Sequence, residues 1–212
     1  MSFAILDGGT FFHHAAIRAG RYRELFDRVI YMPELTGSGL DGAKLLIVPD
    51  RVHPDLLRSH SKTLIDFAQG GGTLVVFGEN QAETWLPGVS WTPRPTNFWW
   101  WLDKNAQPPH RLVAPEHELF QAVAFADTIW HFHGMLKPPQ QAQTLIDVPP
   151  DPENHDAGGA LLYDDRVTTA GRLIVSTLDP FYHHGSNFMP ATTKFLDGFL
   201  PWARMMAHSS AA

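Results

Sequence analysis

The residues of this chain best suited to chemistry are its histidines, twelve in all, and a few carboxylates lying just behind short apolar runs. Three histidine pairs stand out: His13 and His14 in "TFFHH", His131 and His133 in "WHFHG", and His183 and His184 in "FYHHGS". Neutral imidazole orients polar ligands, relays protons and binds zinc, manganese or iron(II). If "DTIWHFH" is a strand, alternation turns His131 and His133 to one face, where they could share a ligand or chelate one ion. Adjacent histidines diverge, so at most one member of each doublet is expected to serve. No spacing matches a metal signature such as H-E-x-x-H, which leaves a divalent metal as an open alternative and the cofactor unassigned. The second feature is "TLVVFGENQ", where a buried strand breaks into Gly78, Glu79, Asn80 and Gln81. A carboxylate at the mouth of a pocket can act as acid, base or nucleophile. The competing reading has Glu79 entering the first turn of a helix over "ENQAETW", where the macrodipole favours negative charge, with Asn80 as a backbone cap.

Positioning these groups requires a scaffold, and the hydrophobic pattern predicts one. "SFAILD" (2–7), "VIYM", "AKLLIVP" (43–49), "TLVVFG" and "GRLIVSTLD" read as buried strands, joined by "DTIWHFH", "AQTLIDV" and "GGALLYDD". Helical periodicity is expected over residues 13–28, over "PDLLRSHSKTLIDFAQ", over "PEHELFQAV", and over the closing "PATTKFLDGFLPWARMMA". Alternating strands and helices, with runs apolar on both faces, predict an α/β domain with a mostly parallel central sheet between helical layers. Residues 86–115, rich in proline and tryptophan, read as an insertion, with "NFWWWLD" as a lid, an interface or an aromatic platform. Chain length suits a single domain over 1–212. In such a sheet ligands sit beyond the carboxyl ends of the strands. The loops there supply Asp7, His13, His14, Asp50, Glu79, Asn80, Gln81, Asp179, His183, His184 and Ser186. Ser186 or Asn187 is further expected to cap the final helix beside the pocket, where an anion or a hydroxyl-rich ligand would fit.

The same segments carry a family likeness. "LLIVPD", "FAQGGGTLVVFGENQ" and "GGALLYDDRVTTAGRLIVSTLDPFYHHGSNFMPATTKFLDGFLPWA" resemble the class I glutamine amidotransferase-like superfamily. Within it they look closest to the non-amidotransferase branch that includes trehalose-utilisation-like proteins and β-galactosidase trimerisation domains. The likeness implies a flavodoxin-like three-layer sandwich and a tight turn after the "TLVVF" strand. Working members place a cysteine on that turn; here Glu79 or Asn80 falls there, and the chain has no cysteine. The histidine, proline and glutamate that follow a late strand in those enzymes align best with "LDPF", so Asp179 stands in the histidine's place and Phe181 in the glutamate's. Glutamine amide transfer by a thiol is therefore excluded.

Composition narrows the partners. Sixteen basic against twenty-two acidic residues give a net charge of −6, without a Lys/Arg run, which does not suit a phosphate backbone. No apolar run is long enough to span a membrane, and "MSFAILDGG" lacks the basic and apolar regions of a signal peptide, so a cytoplasmic protein is expected. The reading is a non-amidotransferase member of the fold that binds a small polar, carbohydrate-derived metabolite and self-associates as a homo-oligomer. The alternatives are a hydrolase or lyase using the histidine and carboxylate cluster, with or without a metal, and an assembly module. Glu79 is assigned as acid or base and His184 as the group that orients ligand or holds metal. Asp7, His13, His14, Asn80, His131, His133, His183 and Ser186 are the further ligand contacts.

Overall fold

The computed structural model describes residues 2–95, 102–153 and 155–209. Its strands are β1 (Ser2–Asp7), β2 (Arg28–Tyr31), β3 (Ala43–Val48), β4 (Thr73–Val76), β5 (Ser90–Pro93), β6 (Arg111–Leu112), β7 (Gly134–Lys137), β8 (Gln143–Val148), β9 (Gly159–Asp165) and β10 (Arg172–Ser176). The α-helices are α1 (Phe11–His13), α2 (Pro54–Ser59), α3 (Ser61–Gln69), α4 (Pro180–Gly185) and α5 (Pro190–His208). All strands join one sheet in the order β2-β1-β3-β4-β10-β9-β7-β5, with β8 pairing β9 and β6 pairing β8. The five strands from β2 to β10 run parallel. From β9 outward the pairings are antiparallel.

Strand alternation divides the core in two. Phe3, Ile5, Leu45, Ile47, Val75 and Ile174 face one side, where Phe195, Leu196, Phe199 and Trp202 of α5 cover them. Ala4, Leu6, Leu46, Val48, Leu74, Val76, Leu173 and Val175 face the other, against Leu57, Leu64 and Ala68 of α2 and α3. Two-sided apolarity therefore produces the predicted α/β sandwich with its largely parallel sheet.

Several local expectations fail for identifiable reasons. Residues 13–28 do not form one helix: α1 runs into a π-type turn over His14–Arg18, and a 3-10 turn follows at Arg23–Leu25. The interruption lies at Gly20, whose absent Cβ would collide with the Ala15 carbonyl. The helix expected over "ENQAETW" is only a 3-10 turn at Ala82–Thr84, because Glu79 (φ 28°) and Gln81 (φ 48°) are left-handed. "PEHELFQAV" yields a 3-10 turn at Glu118–Gln121, with His117 accepting from the Leu119 N–H at 3.2 Å as its cap. "DTIWHFH" is not a strand, since a 3-10 turn at Phe125–Thr128 leads into irregular chain and β7 begins only at Gly134. The 86–115 insertion contributes edge strands β5 and β6 to the sheet. Its tryptophan run at 99–101 lies outside the described residues. The final helix starts at Pro190 after Met189, which gives no side-chain cap; Ser186 instead ends α4, so neither Ser186 nor Asn187 caps α5.

Candidate functional site

Four chain segments meet at the carboxyl edge of the parallel strands. After β4, the Gly78 N–H donates to the Leu178 carbonyl at 2.9 Å. A Cβ on Gly78 would lie 2.6 Å from the Thr177 oxygen, so only glycine lets the turn after β4 press against the turn after β10. That approach sets Glu79, in a left-handed conformation, beside Asp179 at the start of α4. Glu79 thus occupies a strained turn.

Glu79 turns inward with a quarter of its side chain exposed. Its Oε1 lies 2.9 Å from His133 Nε2, and its Oε2 lies 2.9 Å from Arg51 Nη2. The same Arg51 nitrogen reaches Asp179 Oδ2 at 3.1 Å, and the guanidinium stacks over the Tyr182 ring at 3.9 Å. Asp179 Oδ1 accepts from Trp130 Nε1 at 3.3 Å and lies 3.2 Å from His183 Nε2. His183 Nε2 in turn stands 3.1 Å from His131 Nε2. Glu79, His131, His133 and His183 therefore lie close together but do not line one cavity, and strand alternation is not what brings His131 and His133 together.

Burial sets the charge states beneath this group. Burial and the neighbouring Asp179 charge push the Asp50 carboxyl well above the usual carboxylate range, while two contacts of 2.9 Å from the Tyr182 N–H oppose them. Burial also acts to raise Asp179, but the His183 hydrogen bond, with the charges of His183 and Arg51, outweighs it and holds the group low. The two buried carboxyls are thereby pushed in opposite directions. Burial lowers His131 to about 4, so its imidazole is neutral near pH 7.

The remaining candidates are committed elsewhere. Asn80 is buried, and its amide bonds Pro49 O and Phe77 O, both at 2.7 Å, and accepts from the Val52 N–H at 2.8 Å. That side chain stitches the β3 turn to the β4 turn, with both amide hydrogens spent on main-chain carbonyls. His13 accepts from the Gly8 N–H at Nδ1 (3.1 Å) and reaches the Asp50 carbonyl with Nε2 (2.8 Å); burial lowers its pKa. Asp7 accepts from the Gly9 N–H at 2.8 Å and pairs with Arg18. His14 is exposed. His184 meets Thr193 Oγ1 at 2.8 Å and the Tyr22 ring, so the member of its doublet that joins the cluster is His183. The Ser186 Oγ is buried without a hydrogen-bond partner among the described residues. Sequence reasoning passed over Arg51 and Trp130. Arg51 directly follows a pooled strand-end residue, Asp50, and one cation among so many carboxylates was the available signal; nothing local marked Trp130.

Glu79 and His133 open onto a cleft of about 300 Å³, which Phe77, Gln81, Glu83, Trp91, Ser176 and Thr177 also line. No α5 residue lines it, contrary to the expected place beside the N-terminus of the final helix. A smaller hollow of about 190 Å³ is bounded by His110, Trp130 and His131.

No family model matches the sequence, and no curated protein matches it. Solved structures do share the fold. The N-terminal domain of mmIFT52 superposes with a TM-score of 0.57 at 15% identity, covering 100% of this chain and 99% of that one. Two cytoplasmic proteins of Salmonella typhimurium each superpose at 0.55. One is 12% identical, with 96% and 99% of the two chains covered; the other is 10% identical, with 95% and 98% covered. The chain shares with these structures an α/β sandwich fold over nearly its whole length, and it has no cysteine to supply a thiol. Among the described residues, no helix is long and apolar enough to cross a membrane.

Proposed function

We propose that this protein binds a small, neutral, hydroxyl-rich metabolite in the cleft at the carboxyl edge of its sheet, with Glu79 and His133 as the principal polar contacts. The observation that carries this reading is the inward-facing Glu79, held in a left-handed turn and paired with His133 where the cleft begins. Non-glycine residues keep such backbone at a cost of about 1–3 kcal/mol, and they concentrate where function needs the side chain placed. The lining supports the ligand class. Trp91, 39% exposed, offers an apolar face, while Gln81, Ser176, Thr177 and the carboxylates offer hydrogen bonds to hydroxyls. Glu79 and Glu83 disfavour an anion there.

A thermal-shift screen of aldoses, polyols and sugar acids tests the proposal. Neutral polyols or sugars should raise the Tm of the wild type and not of Glu79→Gln. No stabilising compound, or an equal shift in Glu79→Gln, would overturn it. A second reading rests on the 2.9 Å approach of Glu79 to His133, which would serve a hydrolase or lyase as an acid-base pair. Glycoside and ester turnover assays separate it from simple binding.

The chain is further proposed to act as one domain over 1–212, in the cytoplasm, and as a homo-oligomer. Support for assembly comes from Phe11 and Phe188, which expose 71% and 63% of their surface. A monomer mass by light scattering at high micromolar concentration would refute assembly.

A further inference from the structure

Behind the cleft, His131, Asp179 and His183 bring two imidazole nitrogens and a carboxylate oxygen within 4.8 Å of one another, all from buried residues. We propose that these three side chains bind one divalent transition-metal ion, with zinc as the best fit.

The geometry accommodates an ion between the rings as well as a hydrogen bond. His183 Nε2 is 3.1 Å from His131 Nε2 and 3.2 Å from Asp179 Oδ1. Ligands at the 2.0–2.1 Å bond lengths of tetrahedral zinc are about 3.3 Å apart. The two ring centroids are 4.7 Å apart. A linear N–H···N bond at the same nitrogen separation would hold them about 5.4 Å apart. The shorter separation means that the rings are not collinear; if both point symmetrically, their axes meet about 2.2 Å from each Nε2, close to a zinc–nitrogen bond. A point that satisfies both imidazoles is what a metal requires and a shared proton does not.

The carboxylate is held as a ligand would be. Trp130 Nε1 fixes Oδ1, and Arg51 binds Oδ2 while leaving Oδ1 directed at His183. The chain supplies the parts from unlike places. Asp179 precedes α4 and His183 lies four residues on, on its first turn; His131 arrives from the irregular segment before β7. Two histidines and one carboxylate are a borderline donor set that suits zinc and, in weaker sites, cobalt(II) or iron(II). Three protein ligands leave a fourth position open. Asp179 also belongs with Glu79 and His133 to a second group whose ligand atoms lie within 4.8 Å, so the ion would sit directly behind the proposed cleft.

The experiment uses the full chain without a histidine tag, stripped with chelator and titrated with Co²⁺ and then Zn²⁺. One equivalent of Co²⁺ should give the intense visible bands of a four-coordinate site, and one equivalent of Zn²⁺ should remove them. His131→Gln, Asp179→Asn and His183→Gln should each weaken binding by at least about 100-fold. His14→Ala, which changes an exposed histidine, should bind as the wild type does. Absence of the bands in the wild type overturns the proposal even if every triad variant misfolds. Stoichiometric binding that survives in a folded triad variant overturns it as well. Because the titration contains no small molecule, failure here leaves the cleft proposal standing, and a failed ligand screen leaves the metal proposal standing.

Discussion

Replacing Asn80 with alanine should cost the fold about 3–5 kcal/mol, while the neighbouring Glu79→Gln should cost less than about 1 kcal/mol. Asn80 is 2% exposed and makes three bonds of 2.7–2.8 Å, each to main chain of the β3 or β4 turns. A neutral buried hydrogen bond contributes about 1 kcal/mol net, but truncating one partner also strands the other, at about 1–3 kcal/mol for each buried group left behind. Val52, 1% exposed, would keep an N–H with no acceptor, and the Pro49 and Phe77 carbonyls would each lose a donor. Asn80→Asp should be no better, since it sets a carboxylate against those same two carbonyls. Urea unfolding followed by tryptophan fluorescence measures the difference, provided the slope with denaturant is unchanged. A loss below about 1 kcal/mol would refute the scaffold assignment. Retained stability together with lost ligand binding would return Asn80 to the binding surface.

Three other outcomes follow from the same geometry. Gly78→Ala should destabilise by about 2 kcal/mol or more, because the new methyl meets the Thr177 and Leu178 carbonyls at 2.6 and 2.8 Å and forces the two turns apart; unfolding midpoints check it. Glu79→Gly should raise stability slightly or leave it unchanged, since glycine relieves a left-handed φ of 28° at some entropic cost, and thermal melts decide. Burial pulls the pKa of His110 down to about 4, so unfolding favours its protonation. The stability this neutral ring allows is fully present above about 6.5 and is lost as the pH falls towards 4, a loss of about 3 kcal/mol that His110→Leu should remove. Parallel stability curves for the two proteins between pH 7 and 4, in metal-free buffer, would contradict this.

The sheet was legible because its strands are apolar on both faces, a pattern that Phe3 to Leu6 and Leu45 to Val48 share and that a covered parallel sheet satisfies. The loops behind those strands do bring Glu79 and Asp179 together, beside His133. The roles within the site were less legible. Asn80 and Glu79 are adjacent and both polar, and only the left-handed turn, which buries one and leaves the other facing the cleft, separates scaffold from contact. His183 and His184 differ by a rotation of about 100° on α4, and a doublet does not reveal which member faces inward. The helices expected at 13–28 and 79–85 carried the right periodicity, but the chain breaks at Gly20, packed on the Ala15 carbonyl, and at the left-handed Glu79 and Gln81.

The central claim, that the Glu79 and His133 cleft is where this protein meets its ligand, is tested most directly by ¹H–¹⁵N correlation spectra recorded while the neutral sugars and polyols of the panel are titrated in. Shifts should concentrate on the amides of Gly78, Glu79, Gln81, His133 and Thr177, and should vanish in Glu79→Gln. Shifts confined to the hollow at the opposite end of the sheet, around Asp41, Lys44 and Gly72, or no shifts with any member of the panel, would contradict the account.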